Sequence, residues 1–265
     1  MSIVLNWLKH HLNLLCIAWT FYTRIPLPFQ VDHNPEKLQL SRAYFPWIGV
    51  LVGSFCALIF LASAIFWHPS IAVLFSMLAS IWITGAFHED GLADSTDALG
   101  GGWSRDRILE IMKDSRIGTF GTVALIFILA FKFAASYSIA SQSSVDFALI
   151  LIFAHTASRY LASSLVDFMR NASSSAMSKS KPMASTRLPR GYRIIGLAAL
   201  VFSALILYDR PLLILGFFPA LVMTFYWIRL IQKWLGGYTG DTLGALQQLT
   251  EVSIYLTAAM SWNYI

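Results

Sequence analysis

The chain has 265 residues, 57% of them hydrophobic and only 12% charged, about half the charged share of an ordinary soluble domain. So few charges, with a mean hydropathy of +0.62, cannot cover a water-facing surface, which excludes a soluble globular fold and leaves lipid as the covering. The formal net charge of +5 sits in the loops between apolar runs, where it reads as membrane topology and not as a nucleic-acid surface.

The N-terminal segment carries an apolar run that has no small-residue cleavage site before Thr-Arg-Ile-Pro (residues 23 to 26), so it is expected to be retained. Lys9, His10 and His11 within it suit an interfacial helix as well as a spanning one. A helix crossing about 30 Å of hydrocarbon needs roughly 20 apolar residues. Seven further runs meet or approach that length, at 44 to 66, 70 to 87, 119 to 140, 146 to 168, 193 to 208, 211 to 231 and 245 to 264. The expected fold is therefore all-α, a polytopic transmembrane bundle of seven or eight helices forming one integral membrane domain over residues 1 to 265.

Lys and Arg number 3, 4, 6 and 2 in the connections 24 to 43, 88 to 118, 170 to 193 and 229 to 244, against 0, 0 and 1 in 67 to 70, 141 to 146 and 208 to 211. This alternation places the four long connections in the cytoplasm. The Ser/Lys-rich stretch 171 to 185 reads as a loop. Cys16 and Cys56 both lie in apolar runs and give no disulfide framework.

Residues 84 to 99, Thr-Gly-Ala-Phe-His-Glu-Asp-Gly-Leu-Ala-Asp-Ser-Thr-Asp-Ala-Leu, carry four acids within nine positions. On a helix, Asp90, Asp94 and Asp97 share one face with neighbouring Cβ atoms about 5 to 6 Å apart, while Glu89 points elsewhere. Three carboxylates this close to hydrocarbon repel, so one must hold a proton or a cation must neutralise them. Hard oxygen donors with open positions suit Mg²⁺, with Mn²⁺ as the alternative, and such ions take their remaining ligands from water and substrate phosphates. Asp90, Asp94 and Asp97 are thus expected as catalytic residues and metal ligands. The competing reading is a solvated helix start favoured by the dipole. His88 alone fits a structural hydrogen bond as well as a chemical role.

Lys113, Asp114 and Arg116 precede the next span, where they either anchor the helix or capture phosphate, Asp114 being a further candidate metal ligand. In the last long connection, Gly-Gly-Tyr-Thr-Gly-Asp-Thr-Leu-Gly at 236 to 244 is a glycine-rich turn with Asp241 at its tip, a place where backbone amides can cradle an anion. His155 and Arg159, four apart in an apolar span, need a polar partner, either the intramembrane acid Glu251 or a substrate phosphate. Lys132 is expected to pair within the bundle or line its cavity.

The blocks at 84 to 97, Ile-Met-Lys-Asp-Ser-Arg-Ile-Gly-Thr-Phe-Gly at 111 to 121 and Gly-Asp-Thr-Leu-Gly-Ala at 240 to 245 closely resemble the signatures of the cobalamin synthase family, the adenosylcobinamide-GDP ribazoletransferases. Phe-Tyr-Thr-Arg-Ile-Pro-Leu-Pro at 21 to 28 and Tyr-Phe-Pro-Trp-Ile-Gly at 44 to 49 look like that family too, so the likeness spans nearly the whole chain. It implies the last assembly step of vitamin B12 in the bacterial inner membrane. There α-ribazole or its 5′-phosphate is joined to adenosylcobinamide-GDP with Mg²⁺ and release of GMP. A homo-oligomer is compatible with it. Asp90, Asp94, Asp97, Asp114, Arg116 and Asp241 occupy matching positions, with Lys113 and Arg159 as further substrate-binding candidates, whereas the position of Glu89 need not be acidic in that family.

Two rivals fit less well. In a CDP-alcohol phosphotransferase, Ala and Arg would stand where this chain has Asp94 and Ser95. An ion-coupled transporter would show repeated halves and acids near the midplane, and no repeat is visible here.

Overall fold

In the computed structural model, described over residues 2–173 and 187–261, all the named elements are helices. They are α1 Ser2–Tyr22, α2 Pro35–Ser41, a 3₁₀ turn Arg42–Tyr44 running into α3 Phe45–Ala64, α4 Pro69–Thr84, α5 Phe87–Gly101 and α6 Arg105–Ile111. There follow α7 Thr119–Gln142, α8 Ser144–Leu165, α9 Arg190–Leu205, α10 Pro211–Ile214, α11 Phe217–Leu235 and α12 Gly240–Ser261. Most of the Ser/Lys-rich stretch expected as a loop lies outside the described residues.

The seven apolar runs read from the sequence all become helices, but the chain crosses lipid less uniformly than seven or eight equal spans. Four helical stretches are both long and apolar enough to cross, Pro35–Ala64, Thr119–Gln142, Ser144–Leu165 and Pro211–Leu235, and α4 with α5 forms a fifth only as a pair bent by 85°. Helix α9 has 16 residues, short of a full crossing. Helices α1 and α12 are long enough but fall short in hydropathy. In α12 the cause is visible, because Gln247, Gln248, Thr250 and Glu251 are all buried inside the bundle. Outward, Val123, Ile126, Phe127 and Phe131 of α7 and Leu221, Val222, Phe225 and Tyr226 of α11 are exposed, an apolar surface that only lipid can cover.

The bundle centre is α3 against α8, with Ile48, Val52, Cys56 and Phe60 buried beside Phe147, Leu151, Ala154 and Ala157, and Phe60 edge-on to Phe147 at 4.6 Å. A second core lies beneath the acidic segment, built from Leu92, Ala98, Ile108, Met112, Leu165, Trp227, Ile231 and Leu246.

Hydrogen bonds gather all four long connections at one end. Arg24 N donates to Ile83 O (2.7 Å), and Arg42 pairs with Asp167, whose Oδ1 also accepts from Leu188 N (2.7 and 3.0 Å). Arg105 donates to Leu235 O and Ala172 O (3.0 and 2.8 Å), and Ala172 N to Tyr238 O (2.7 Å). At the other end, Arg210 reaches Asp146 (2.9 Å) and joins two of the short connections, 141 to 146 and 208 to 211.

The elbow between α4 and α5 orients the site. Gly85 ends α4 in the left-handed region (φ 68), which only glycine enters without steric cost, and Ala86 follows at φ 57, the one non-glycine at positive φ among the described residues. The chain therefore turns sharply at the loop-bearing end, and α5, with four acids in its 15 residues, runs off the axis of α4.

Candidate active site

Asp90, Asp94 and Asp97 lie along one side of α5, Asp90 exposed and the other two half-buried. Asp97 differs from its neighbours. Its two carboxylate oxygens accept from Gly118 N (2.7 Å) and Gly121 N (2.8 Å), satisfying amides that the first turn of α7 would otherwise leave without partners. Expected as a metal ligand, Asp97 is engaged as the cap of a helix.

A fourth carboxylate comes from the far end of the sequence. Thr239 and Thr242 bond reciprocally, Thr239 N to Thr242 Oγ1 (2.8 Å) and Thr242 N to Thr239 Oγ1 (3.2 Å). This is the double bond of a capping box, and it opens α12 with Asp241 in the first turn. Helix α12 approaches α5 at Gly91, where a Cβ would meet Asp241 O at 2.8 Å and Gly244 Cα at 3.3 Å. The absent side chain is what lets Asp241 reach the acidic face.

The electrostatics follow from this convergence. Burial and the charges of Asp90, Asp241 and Asp97 raise Asp94 to about 7. Asp241 is raised to about 6, again by burial first and with Asp90 contributing, against the opposing hydrogen bonds. Burial and like charge both disfavour ionisation here, which a cation would relieve, and the set is all hard oxygen, the donor type that Mg²⁺ takes. As placed, no three His, Cys, Asp or Glu side chains among the described residues already stand at ion-holding distance.

The other expected residues separate into two groups. Asp114 faces Arg116, not the acids, with Arg116 Nε and Nη2 donating to its two oxygens (3.0 and 2.6 Å). The guanidinium holds this carboxyl down to about 2. Arg116 is 87% exposed and Lys113 is exposed beside it, so both cations are open to solvent.

Arg159 lies inside the bundle at 1% exposure. Its Nη1 is 3.0 Å from His155 Nδ1 and 3.9 Å from Glu251 Oε2, while Lys132 Nζ is 2.5 Å from Glu251 Oε1. The pairing with Glu251 is thus the one realised. Gln247 Nε2 joins Glu251 Oε2 (2.5 Å), and Gln248 Nε2 donates to Glu89 Oε1 (3.1 Å), so Glu89 belongs to this inner network as its direction on the helix implied. The Gln247-Gln248 pair was not singled out from sequence, although two amides in an apolar run are a readable signal.

Also unforeseen is an aromatic pocket of about 70 Å³, open to the exterior, whose walls include Tyr22, Phe45, Phe87, His88 and Gly240. His88 is 2% exposed, and its Nε2 has no hydrogen-bond partner among the described residues, an arrangement costing about 1–3 kcal/mol where nothing compensates.

Fold and site together define an all-helical, multi-pass membrane protein with clustered carboxylates at its loop-bearing end. The family model described as cobalamin-5-phosphate synthase matches residues 14–259, and the chain belongs to that family. It is 42% identical to the adenosylcobinamide-GDP ribazoletransferase of Shewanella piezotolerans, over 94% of this chain and 95% of that one. To the protein of the same name from Leptospira interrogans it is 40% identical, over 98% and 100%. The Leptothrix cholodnii protein of that name is 39% identical, over 94% and 96%. The chain is accordingly a transferase. No solved structure matches.

Proposed function

We propose that this protein joins α-ribazole, or its 5′-phosphate, to adenosylcobinamide-GDP with release of GMP, the last assembly step of vitamin B12. We place it in the bacterial inner membrane with its acidic face towards the cytoplasm. The observation that carries the reading is the approach of Asp241 to Asp90 and Asp94 across Gly91. This surplus of negative charge stands at the end where Arg- and Lys-rich loops meet and where α7 and α12 begin. Helix starts and exposed cations favour the phosphates of a nucleotide, and the positive-inside bias of the loops supports the orientation.

Asp90, Asp94 and Asp241 would hold Mg²⁺, which supplies charge neutralisation on the diphosphate when bound. The chain's own groups do the rest. A ribose hydroxyl oxygen attacks the cobinamide-side phosphorus, the bond from that phosphorus to the GMP oxygen breaks, and the hydroxyl proton passes to a carboxylate. Asp94 is the better acceptor, because the two oxygens of Asp97 are bonded to α7. Arg116 and Lys113 steady the phosphates from the exposed side.

The test is incubation of the purified, reconstituted protein with adenosylcobinamide-GDP and α-ribazole, with Mg²⁺ or with EDTA. GMP and the joined corrinoid should appear in equal amounts with Mg²⁺ alone. Product formation indifferent to chelation would remove the metal from the scheme, and no GMP under any condition would remove the reaction.

A further inference from the structure

We propose that Glu89 is a positioning residue for the metal site: its bond with Gln248 fixes the register of α5 against α12 and so holds Asp90 and Asp94 opposite Asp241. The inference rests on the Mg²⁺ reading proposed above and adds what keeps its three ligands together.

Helix α5 leaves α4 through an elbow of 85°, so its place depends on what it packs against. Towards its end, Asp97 bonds two amides of α7 (2.7 and 2.8 Å). Towards its start the neighbour is α12, and the two helices meet at glycines. A Cβ on Gly91 would stand 2.8 Å from Asp241 O, and one on Gly244 would stand 3.3 Å from His88 O. These contacts set how closely the helices approach, but a bare Cα against backbone makes no directional bond and leaves sliding open. The directional contact is Gln248 Nε2 donating to Glu89 Oε1 (3.1 Å). Gln248 lies two helical turns beyond Asp241 and therefore on the same face of α12. A slip of one residue along a helix is about 1.5 Å. Mg²⁺ cannot absorb that, because it demands near-octahedral geometry at about 2.0–2.1 Å.

Packing alone does not call for a carboxylate at this position. Glu89 is 6% and Gln248 2% exposed, and Glu89 Oε2 has no hydrogen-bond partner among the described residues. A buried carboxylate satisfied at one oxygen is costly beside an apolar side chain of similar size. Gln248 is itself held, since its Nε2 also donates to Gln247 Oε1 (2.9 Å). The rival role for Glu89 is charge balance, because Lys132 and Arg159, both facing Glu251, also lie in its field. The two roles part at Glu89→Gln, which removes the charge and leaves an amide oxygen to accept from Gln248, and at Glu89→Asp, which keeps the charge on a side chain one methylene shorter.

The test is Mn²⁺ binding to the purified full chain, followed by the EPR signal of the free ion, with Asp241→Asn as the control that ties binding to the acidic face. A hydrogen bond to a charged group corresponds to roughly tenfold or more in an equilibrium constant. Glu89→Asp should therefore raise the Kd about tenfold, and Gln248→Leu should match it, while Glu89→Gln stays within about threefold. Because both losses act through one bond, Glu89→Asp combined with Gln248→Leu should bind no more weakly than either alone. The Mg²⁺ concentration giving half-maximal turnover should move in parallel. A merely structural contact would lower thermal stability and leave the affinity for the ion unchanged. Glu89→Gln weakened as much as Glu89→Asp, an unaffected Glu89→Asp, or additive losses in the double variant overturns the proposal. Should Gln248→Leu fail to fold, the order of Glu89→Asp and Glu89→Gln decides alone. A wild type that binds no Mn²⁺ fails the metal reading, whereas saturable binding that is lost in Asp241→Asn and unaltered in Glu89→Asp fails only the role of Glu89.

Discussion

At the scale of single residues, two carboxylates three positions apart have opposite relations to the fold. Asp94 is raised to about 7 by burial and by three like charges. Between the ordinary carboxylate range and pH 7 the folded chain then holds a proton that the unfolded chain has lost, so stability falls as pH rises through that window. Asp94→Asn removes this slope. In cation-free detergent, thermal unfolding of the variant should gain on wild type at pH 8 and not at pH 5, while turnover with Mg²⁺ is nearly abolished. Near-wild-type turnover would free Asp94 of any chemical role. Asp97 instead stabilises, by accepting two amides at the start of α7. Asp97→Ala should cost about 0.5–2 kcal/mol, the usual worth of a cap, with Asp97→Asn recovering part of it in the same melts. The 4,3 spacing made these carboxylates visible in the sequence, but it treated them as equivalent. What separates them is a bond to backbone 21 residues downstream, which carries no side-chain signature.

At the scale of elements, the decisive features are one elbow and one missing side chain. Thr-Gly-Ala at 84 to 86 is legible as a break in the apolar run, but the 85° angle is set by consecutive positive φ values at Gly85 and Ala86, and alanine is not a residue that announces one. Gly91 is similar. Within the sequence it is only a poor helix former amid a motif, while in space it is where α12 closes on α5. Gly91→Ala improves helix propensity by up to about 1 kcal/mol but pushes a methyl against Asp241 O, and overpacking of this kind typically costs about 1–3 kcal/mol. The net expectation is lower stability, together with a larger loss of turnover because Asp241 is displaced from Asp90 and Asp94. A Gly91→Ala variant as active and as stable as wild type would show that the two helices can part without consequence.

At the scale of the whole molecule, the gathering of the loops was more legible than the number of crossings, because loop charge follows insertion whereas a crossing depends on how evenly each run stays apolar. The seven runs became helices, the one at 211 to 231 divided between α10 and α11 and the last with its expected end outside the described residues, and the four cationic connections meet at one end. Less legible was the polar interior. Lys132, His155, Arg159 and Glu251 each looked anomalous alone, and only the assembly of α7, α8 and α12 shows that they compensate one another. This network makes α12 too polar to face lipid and keeps it central, and so brings Asp241 to the acidic face. The proposed orientation can be tested across the entire chain. In a background with Cys16 and Cys56 replaced, single cysteines at the exposed positions Glu36, Lys113 and Lys233 should resist a membrane-impermeant maleimide in intact spheroplasts and react in inverted vesicles. Cysteines at Ser141 and Tyr208, exposed at the opposite end, should show the reverse. Labelling of Lys113→Cys and Ser141→Cys from the same side would contradict the bundle, and reversal of both sets would turn the acidic face away from the compartment that supplies its nucleotide.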